Sequence, residues 1–327
     1  MNELFGPVLS VMCAKDLKHA IELVNKTGYG LTSGIESLDA RETEYWRENL
    51  KAGNLYINRG TTGAIVLRQP FGGMGKSAVG AGRKAGVYNY VTQFMDFKEV
   101  EAPKVDKTYF HPLVDVVKGW NKGVNSGIHK EFNIVSREYA KLDKKDFELL
   151  DAALQSYLKN FKDEFDAEHD YFKLRGEDNI FRYLPLERVA LRVTKDDSVF
   201  DVVSRILAAK VSGVSLHVSV EAACENSIVS FLYENKDKLL RAEDKIAREN
   251  EKEFVKCFTK VVRVIYAAES RISPFIYKEA AKTALYIIRT RPMMEGRLEL
   301  LNYFEEQSIS HSYHRYGNIG ERALKTN

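Results

Sequence analysis

Residues 54–73, NLYINRGTTGAIVLRQPFGG, constrain the chain more than any other stretch. Leu55, Tyr56 and Ile57 form a short apolar run between Gly53 and Asn58, which predicts a strand. The strand empties into a glycine-rich loop at residues 60–63. A brief apolar run at 65–67 follows, and Pro70-Phe71-Gly72-Gly73 supplies a second turn. Loops of small residues leave backbone N–H groups uncovered, because glycine has no side chain to shield them. Such N–H groups suit an anion, a carboxylate or a phosphate. A tight connection between two core strands would use the same residues, and the stretch by itself leaves both readings open.

The remaining composition narrows the function classes. A chain of 327 residues can bury one large core or two ordinary ones. Hydrophobic content of 44% and charged content of 29% are ordinary for a globular protein. The formal net charge of +3 is small and the charges alternate in sign, which argues against a nucleic-acid footprint or a polybasic membrane patch. No apolar run approaches the roughly 20 residues that span a bilayer, and the N-terminus lacks a signal-peptide pattern. Cys13, Cys224 and Cys257 are widely separated and form no CxxC pair, so reduced thiols and a cytoplasmic location are expected.

Alternating strand and helix signals run through the first hundred residues. Residues 8–12 read as a buried strand fed by a turn at Gly6-Pro7. Residues 15–26 place Leu17, Ile21 and Val24 on one helical face, with Gly28 beyond the end. Residues 31–37 predict a strand and residues 41–50 a helix stopped by Gly53. This order argues for α/β layers with parallel pairing. The glycine-rich residues 71–86 predict a loop. Their Gly75-Lys76-Ser77 lacks the phosphate-loop spacing, since Phe71 and Pro70 stand where the leading glycine would be, and nucleotide phosphate is rejected. Residues 87–100, rich in Tyr and Phe, suit a strand.

Residues 102–112 read as a linker. Residues 143–165 predict a helix capped by Asp143, its Phe147, Leu150, Leu154, Tyr157, Leu158, Phe161 and Phe165 in one packing stripe. The clearest βαβ unit follows. Val189, Leu191 and Val193 alternate, Asp197-Ser198 caps a helix over 199–210 that Gly213 ends, and Val214, Leu216 and Val218 alternate again. Its first turn, Thr194-Lys195-Asp196-Asp197, has no glycine and puts carboxylates where a pyrophosphate would sit, so this layer should not bind a dinucleotide. Residues 222–240, 243–258 and 295–306 read as helices, and 260–266 and 284–288 as strands. The tail at 307–321 carries His311 and His314 three residues apart. With no carboxylate or cysteine at ligand spacing, docking against another surface is preferred over metal.

Three groups of residues carry a family resemblance. Gly63 and Ala64, with Phe71 eight residues after Gly63, resemble the Thr-Gly-Ala and Gln-Pro-Phe-Gly-Gly pair of the aldehyde dehydrogenase superfamily, in its glutamate semialdehyde (1-pyrroline-5-carboxylate) branch. The resemblance implies that Gly63 and Ala64 donate backbone N–H groups to the substrate α-carboxylate and that Phe71 walls its aliphatic chain. Glu3-Leu4-Phe5-Gly6-Pro7 resembles the family's Glu-Xaa-Phe-Gly-Pro motif, which implies Glu3 on the hydroxyls of the nicotinamide ribose and Phe5 beside the nicotinamide of NAD. Gly176-Glu177-Asp178-Asn179, Arg182-Tyr183, Pro185 and the Ser-Tyr-His-Arg-Tyr-Gly-Asn tail resemble the C-terminal domain of bifunctional proline utilization A proteins.

The resemblance implies an α/β chain in three segments. Residues 1–100 would end an aldehyde dehydrogenase domain, 101–175 form a linker and helical segment, and 176–327 form a Rossmann-like, non-catalytic domain with a docking tail. It implies NAD-dependent oxidation of glutamate semialdehyde to glutamate, and a partner-sheet strand near 87–100 implies a homo-oligomer. In that family the nucleophilic cysteine and most of the NAD fold precede the Glu-Xaa-Phe-Gly-Pro motif. The flavin (FAD) belongs to a separate proline-oxidising portion. An upstream part of the same enzyme is therefore an expected partner, and the chain alone is expected to be inactive. A non-catalytic assembly or interaction module is the alternative. Cys13, set in the expected buried strand, and Cys224 and Cys257, set on expected helices, are not read as nucleophiles.

Overall fold

The computed structural model describes residues 5–126 and 143–313. In chain order its elements are α1 (Leu17–Asn25), β1 (Tyr29–Gly30), β2 (Thr32–Ile35), α2 (Ala40–Asn49), β3 (Asn54–Ile57), β4 (Met74–Gly75), α3 (Pro112–Ser126) and α4 (Lys144–Asn160). Then come β5 (Glu177–Pro185), β6 (Arg188–Val193), α5 (Val199–Val211), β7 (Ser215–Glu221), α6 (Ser227–Glu234), α7 (Lys236–Leu239) and β8 (Lys245–Glu249). The chain finishes with α8 (Glu251–Phe254), β9 (Arg263–Ile265), α9 (Pro274–Lys282), β10 (Tyr286–Ile288), α10 (Gly296–Glu299) and β11 (Phe304–Ser312). Two compact units result. The first combines residues 1–95, 168–183 and 306–327; the second combines 96–167 and 184–305. These units interleave along the chain and cut across the sequence-order segments 1–100, 101–175 and 176–327.

The first unit is built on a four-stranded sheet in the order β2-β3-β11-β5. β2 and β11 both run parallel to β3, pairing Ser33 and Ile309 with Leu55. Asp16 and Asp39 cap α1 and α2 by accepting from His19 N and Arg41 N, the expected use of a carboxylate at a helix start. Ile21, Trp46, Leu50, Leu55, Ile57 and Ile309 form the core. The middle strand β11 arrives from the end of the described chain. Its outer stretch was read as helix end and docking tail, and the structure makes it a buried strand instead. Its serines explain the misreading: Ser308 and Ser310 are buried on hydrogen bonds to Asn54 and Asn179 and leave no apolar alternation.

The second unit holds a five-stranded, all-parallel sheet in the order β10-β9-β6-β7-β8. β6, α5 and β7 form the expected βαβ unit. Ser198 and Asp201 close a capping box at the start of α5, and Val202, Val203, Ile206 and Leu207 are buried. Val189, Leu191 and Val193 are buried, as suits a strand covered on both faces. Asp143 caps α4 as expected, and that helix ends in one π-helical turn at Phe161–Phe165.

Three further expectations are corrected. Residues 243–258 do not form one helix: β8 pairs with β7 from His217 to Glu221, and only then does the chain turn through α8. Residues 88–94 form a 3-10 helix rather than a strand, with the Asn89 side chain buried on Glu306 and Tyr183. Residues 8–12 form no strand, and Val8, Leu9, Val11 and Met12 are exposed. Cys13 is accordingly an exposed thiol, not a buried structural one.

Candidate functional site

β3 delivers the candidate site. The chain leaves the strand through Asn58 at φ 57°, a left-handed conformation that asparagine tolerates. The Asn58 side chain holds both the N–H and the carbonyl of Ser37. The loop over residues 60–64 is exposed and has no regular structure. Gly63 sits at φ 120°, where a side chain is strained, and its carbonyl accepts a hydrogen bond of 2.9 Å from the Tyr56 hydroxyl. Burial raises the Tyr56 pKa and keeps that hydroxyl a donor. Among the described residues, no acceptor within the chain takes the N–H of Gly63 or of Ala64. The two groups sequence reasoning singled out are thus accessible and undonated.

A tight reversal follows. Ile65 and Gln69 exchange backbone hydrogen bonds across Leu67, which stands at φ 62°. Phe71 is half-buried, and both its N–H and its carbonyl pair with Ala85 at 2.9 Å. Behind it the backbone comes close to β3. A Cβ on Gly53 would lie 2.0 Å from the Gly72 carbonyl oxygen, so only glycine fits there. Asn54 ties the same region together, donating to the carbonyls of Leu31 and Gly72 at 2.6 and 3.1 Å. Buried Lys84 reaches Asn54 Oδ1 at 3.2 Å and also donates to the Gly72 carbonyl.

Two carboxylates absent from the sequence-based site anchor this glycine-rich segment. Glu306, buried on β11, accepts from Lys84 N at 2.8 Å and from Asn89 Nδ2 at 2.9 Å. Glu177, at the start of β5, accepts from Arg59 Nη1 at 2.9 Å and Arg68 Nη2 at 3.0 Å. Glu177 lay within the run noted for resemblance, but its partners are more than a hundred positions away. No local pattern announces them.

Of the two expected cofactor residues, Glu3 lies outside the described residues. Phe5 is fully exposed and in no hydrogen bond or ring contact with the loop. The residues of the turn after β6 do not fit a dinucleotide. Asp197 accepts from the N–H and hydroxyl of Thr194, and Arg271 pairs with Asp197 and Asp201. Arg291 also reaches Asp201, at 3.2 Å. The cavity there, about 520 Å³, is lined by Asp196, Asp201 and Glu269 as well as by Arg271, Arg289 and Arg291. Carboxylates hold the position at the start of α5 that a pyrophosphate would need.

Cys224 and Cys257 are buried, and burial pushes both thiols up, that of Cys257 to about 12. Neither is a ready thiolate. Among the described residues no group of three or more His, Cys, Asp or Glu could hold a metal ion, and no helix is long and apolar enough to cross a membrane. His314 lies outside the described residues.

Comparison with known proteins places the segment carrying this loop among similar sequences. Residues 1–100 match the model of the aldehyde dehydrogenase family. The chain is 48% identical over 99 residues to a 1-pyrroline-5-carboxylate dehydrogenase of Geobacillus sp. (strain WCH70), covering 30% of this chain and 19% of that protein. It is 46% identical over 99 residues to the enzyme of the same name from Geobacillus thermodenitrificans (strain NG80-2), with the same coverage of 30% and 19%. In structure it is similar to proline utilization A from Corynebacterium freiburgense, with a TM-score of 0.67 and 31% sequence identity. That similarity covers 97% of this chain and 26% of the other. The chain spans about a fifth of the curated relatives it matches. Residues 1–100 are thus similar to the aldehyde dehydrogenase family, and they sit in a chain similar over nearly all its length to about a quarter of a proline utilization A protein.

Proposed function

We propose that this chain is the carboxylate-anchoring portion of an NAD-dependent dehydrogenase that oxidises glutamate semialdehyde, the open form of 1-pyrroline-5-carboxylate, to glutamate. The undonated, accessible N–H groups of Gly63 and Ala64 carry the reading. They bind the substrate α-carboxylate, the half-buried Phe71 ring flanks the aliphatic chain, and the aldehyde carbon is thereby held at a fixed distance from its anchor. NAD, when bound, accepts the hydride; Glu3 and Phe5 contribute the ribose and nicotinamide contacts. The attacking thiolate is assigned to none of Cys13, Cys224 and Cys257. An upstream part of the enzyme supplies it, and a flavin-dependent proline-oxidising portion accompanies the complete protein. Exposed Tyr88, Val91, Phe94 and Met95 support assembly with a second copy. The free cysteines are in keeping with a cytoplasmic enzyme.

The test is a titration of the purified chain with L-glutamate, which shares the substrate's α-carboxylate, beside an assay of NAD-dependent 1-pyrroline-5-carboxylate oxidation and NAD calorimetry. A side chain forced onto Gly63 costs about 1–3 kcal/mol of backbone strain, so Gly63→Val should weaken L-glutamate binding roughly 5- to 150-fold. Any NAD affinity should be unchanged. Equal losses for both ligands would reject the anchor role, and turnover by the chain alone would reject the assignment of the nucleophile.

A further inference from the structure

The loop bearing Gly63 and Ala64 begins after Arg59 and ends at Arg68 and Gln69. One carboxylate holds both ends. Glu177 stands 118 residues from Arg59 and 109 from Arg68. Its Oε1 accepts from Arg59 Nη1 at 2.9 Å and from Gln69 Nε2 at 3.1 Å, and its Oε2 accepts from Arg68 Nη2 at 3.0 Å. Ser310 on the neighbouring β11 completes the cluster, accepting from Arg59 at 2.6 Å and Gln69 at 3.2 Å. The carboxylate is mostly buried, its side chain 16% exposed, where charge-assisted bonds are strongest. Gln69 joins the clamp to the loop. Its backbone closes the reversal with Ile65, and its Oε1 is buried without a hydrogen-bond partner, 3.4 Å from where a Gly63 Cβ would be. An orphaned buried acceptor is destabilising, so its position is fixed by something other than its own stability.

Residues 60–64 have no regular structure to order them. Ordering each backbone residue costs conformational entropy, which a ligand must meet at binding unless the fold has met it already. The cluster also sums to one net positive charge, two guanidiniums against one carboxylate, a field that favours an incoming carboxylate. We propose that Glu177 is a positioning residue for the carboxylate-binding loop: by clamping Arg59 and Arg68 it pre-orders Gly63 and Ala64, and it sets ligand affinity without touching the ligand. The proposal rests on the reading of Gly63 and Ala64 as the anchor.

The test uses the 327-residue chain with two readouts, amide hydrogen exchange and L-glutamate affinity. Glu177→Gln should speed exchange at the hydrogen-bonded amides within residues 60–67, Ile65 and Leu67, by about ten-fold and weaken L-glutamate by a similar factor, with exchange in β3 unchanged. Arg68→Met should act in the same direction, and the double variant should be little worse than either, since both break one clamp. Glu168→Gln, which removes another ion-paired carboxylate of the same unit, should change neither readout. Unchanged exchange at 60–67 in Glu177→Gln would overturn the clamp. So would equal acceleration in β3, or a loosened loop with undiminished affinity. Should Glu177→Gln fail to fold, Arg68→Met decides by the same criteria. Absence of L-glutamate binding by the unaltered chain would overturn the anchor reading, and the exchange comparison would still uphold or overturn the clamp.

Discussion

Each unit ends a parallel strand in a loop, and of these two loops the one after β3 is left open to an anion. After β3 the chain runs through residues of small size with their N–H groups undonated, and its charges sit behind the loop on Glu177. After β6 the carboxylates of Asp197 and Asp201 turn into the loop itself and are met by Arg271. The layer architecture is shared. Where the charged side chains are aimed decides whether the strand end offers a site or fills it, which is why a Rossmann-like fold alone is a poor guide to ligand.

The largest expected effect tests whether the second unit's ion pairs are purely structural. Arg205 and Glu299 are each about 1% exposed and paired, and Glu299 also accepts from Tyr303 Oη and from Met293 N. Breaking a buried pair by removing one partner leaves an uncompensated charge, at a cost of about 3–5 kcal/mol. Glu299→Gln should lower unfolding free energy by about that amount in a urea titration, whereas Arg205→Met with Glu299→Leu should recover much of it. Amide exchange at residues 60–67 should be unaffected by either. Exchange that rises there would break the comparison, because the two units would then share one cooperative network.

The elements legible in the sequence were those with a local pattern. Asp143 and Ser198 announced helix starts, and the alternation of Val189, Leu191 and Val193 announced β6. Gly63, Ala64 and Phe71 were singled out because their spacing resembles a motif. Where long-range polar contacts decide, the pattern is silent. β11 is held by serines bonded to other strands, and residues 88–94 turn helical around an Asn89 fixed by Glu306. The apolar run at 8–12 shows the converse failure, since composition indicates only that burial would be favourable and not what is present to bury against. The clamp was invisible for the same reason as β11: Arg59, Arg68 and Glu177 meet only in the fold.

A second, intermediate effect contrasts the units by pH. Burial alone would raise the Glu177 pKa, but the hydrogen bond and charge of Arg68 and the charge of Arg59 outweigh it and leave the pKa lowered. A carboxyl lowered in the fold contributes stability that is complete above its unfolded value, about 4.3, and is lost as pH falls through the folded value. The unaltered chain should therefore exceed Glu177→Gln in unfolding free energy by about 1–3 kcal/mol at pH 7, and the gap should close on acidification below about pH 4. A gap of the same size at pH 7 and at pH 3 would mean that the carboxylate's charge is not what holds the loop.

The smallest effect belongs to the second unit and has the sharper sign. His217 on β7 faces Glu249 at 2.9 Å, with Lys245 and Arg188 as the neighbouring cations. Burial dominates and lowers its pKa despite the attraction of Glu249, so the imidazole is neutral in the fold. The unfolded chain takes up its proton near pH 6.5, so stability from this group is present above that value and declines as pH falls below it. Glu249 opposes burial, which keeps the change smaller than that at Glu177. Unfolding measured at pH 7.5 and 5.5 should show a loss that His217→Gln abolishes. A gain on acidification would mean that the carboxylate outweighs burial and the imidazolium is the folded form. In that case the second unit would hold a charge pair that strengthens as a proton arrives, whereas the Glu177 clamp weakens, and the two units would respond to acid in opposite directions.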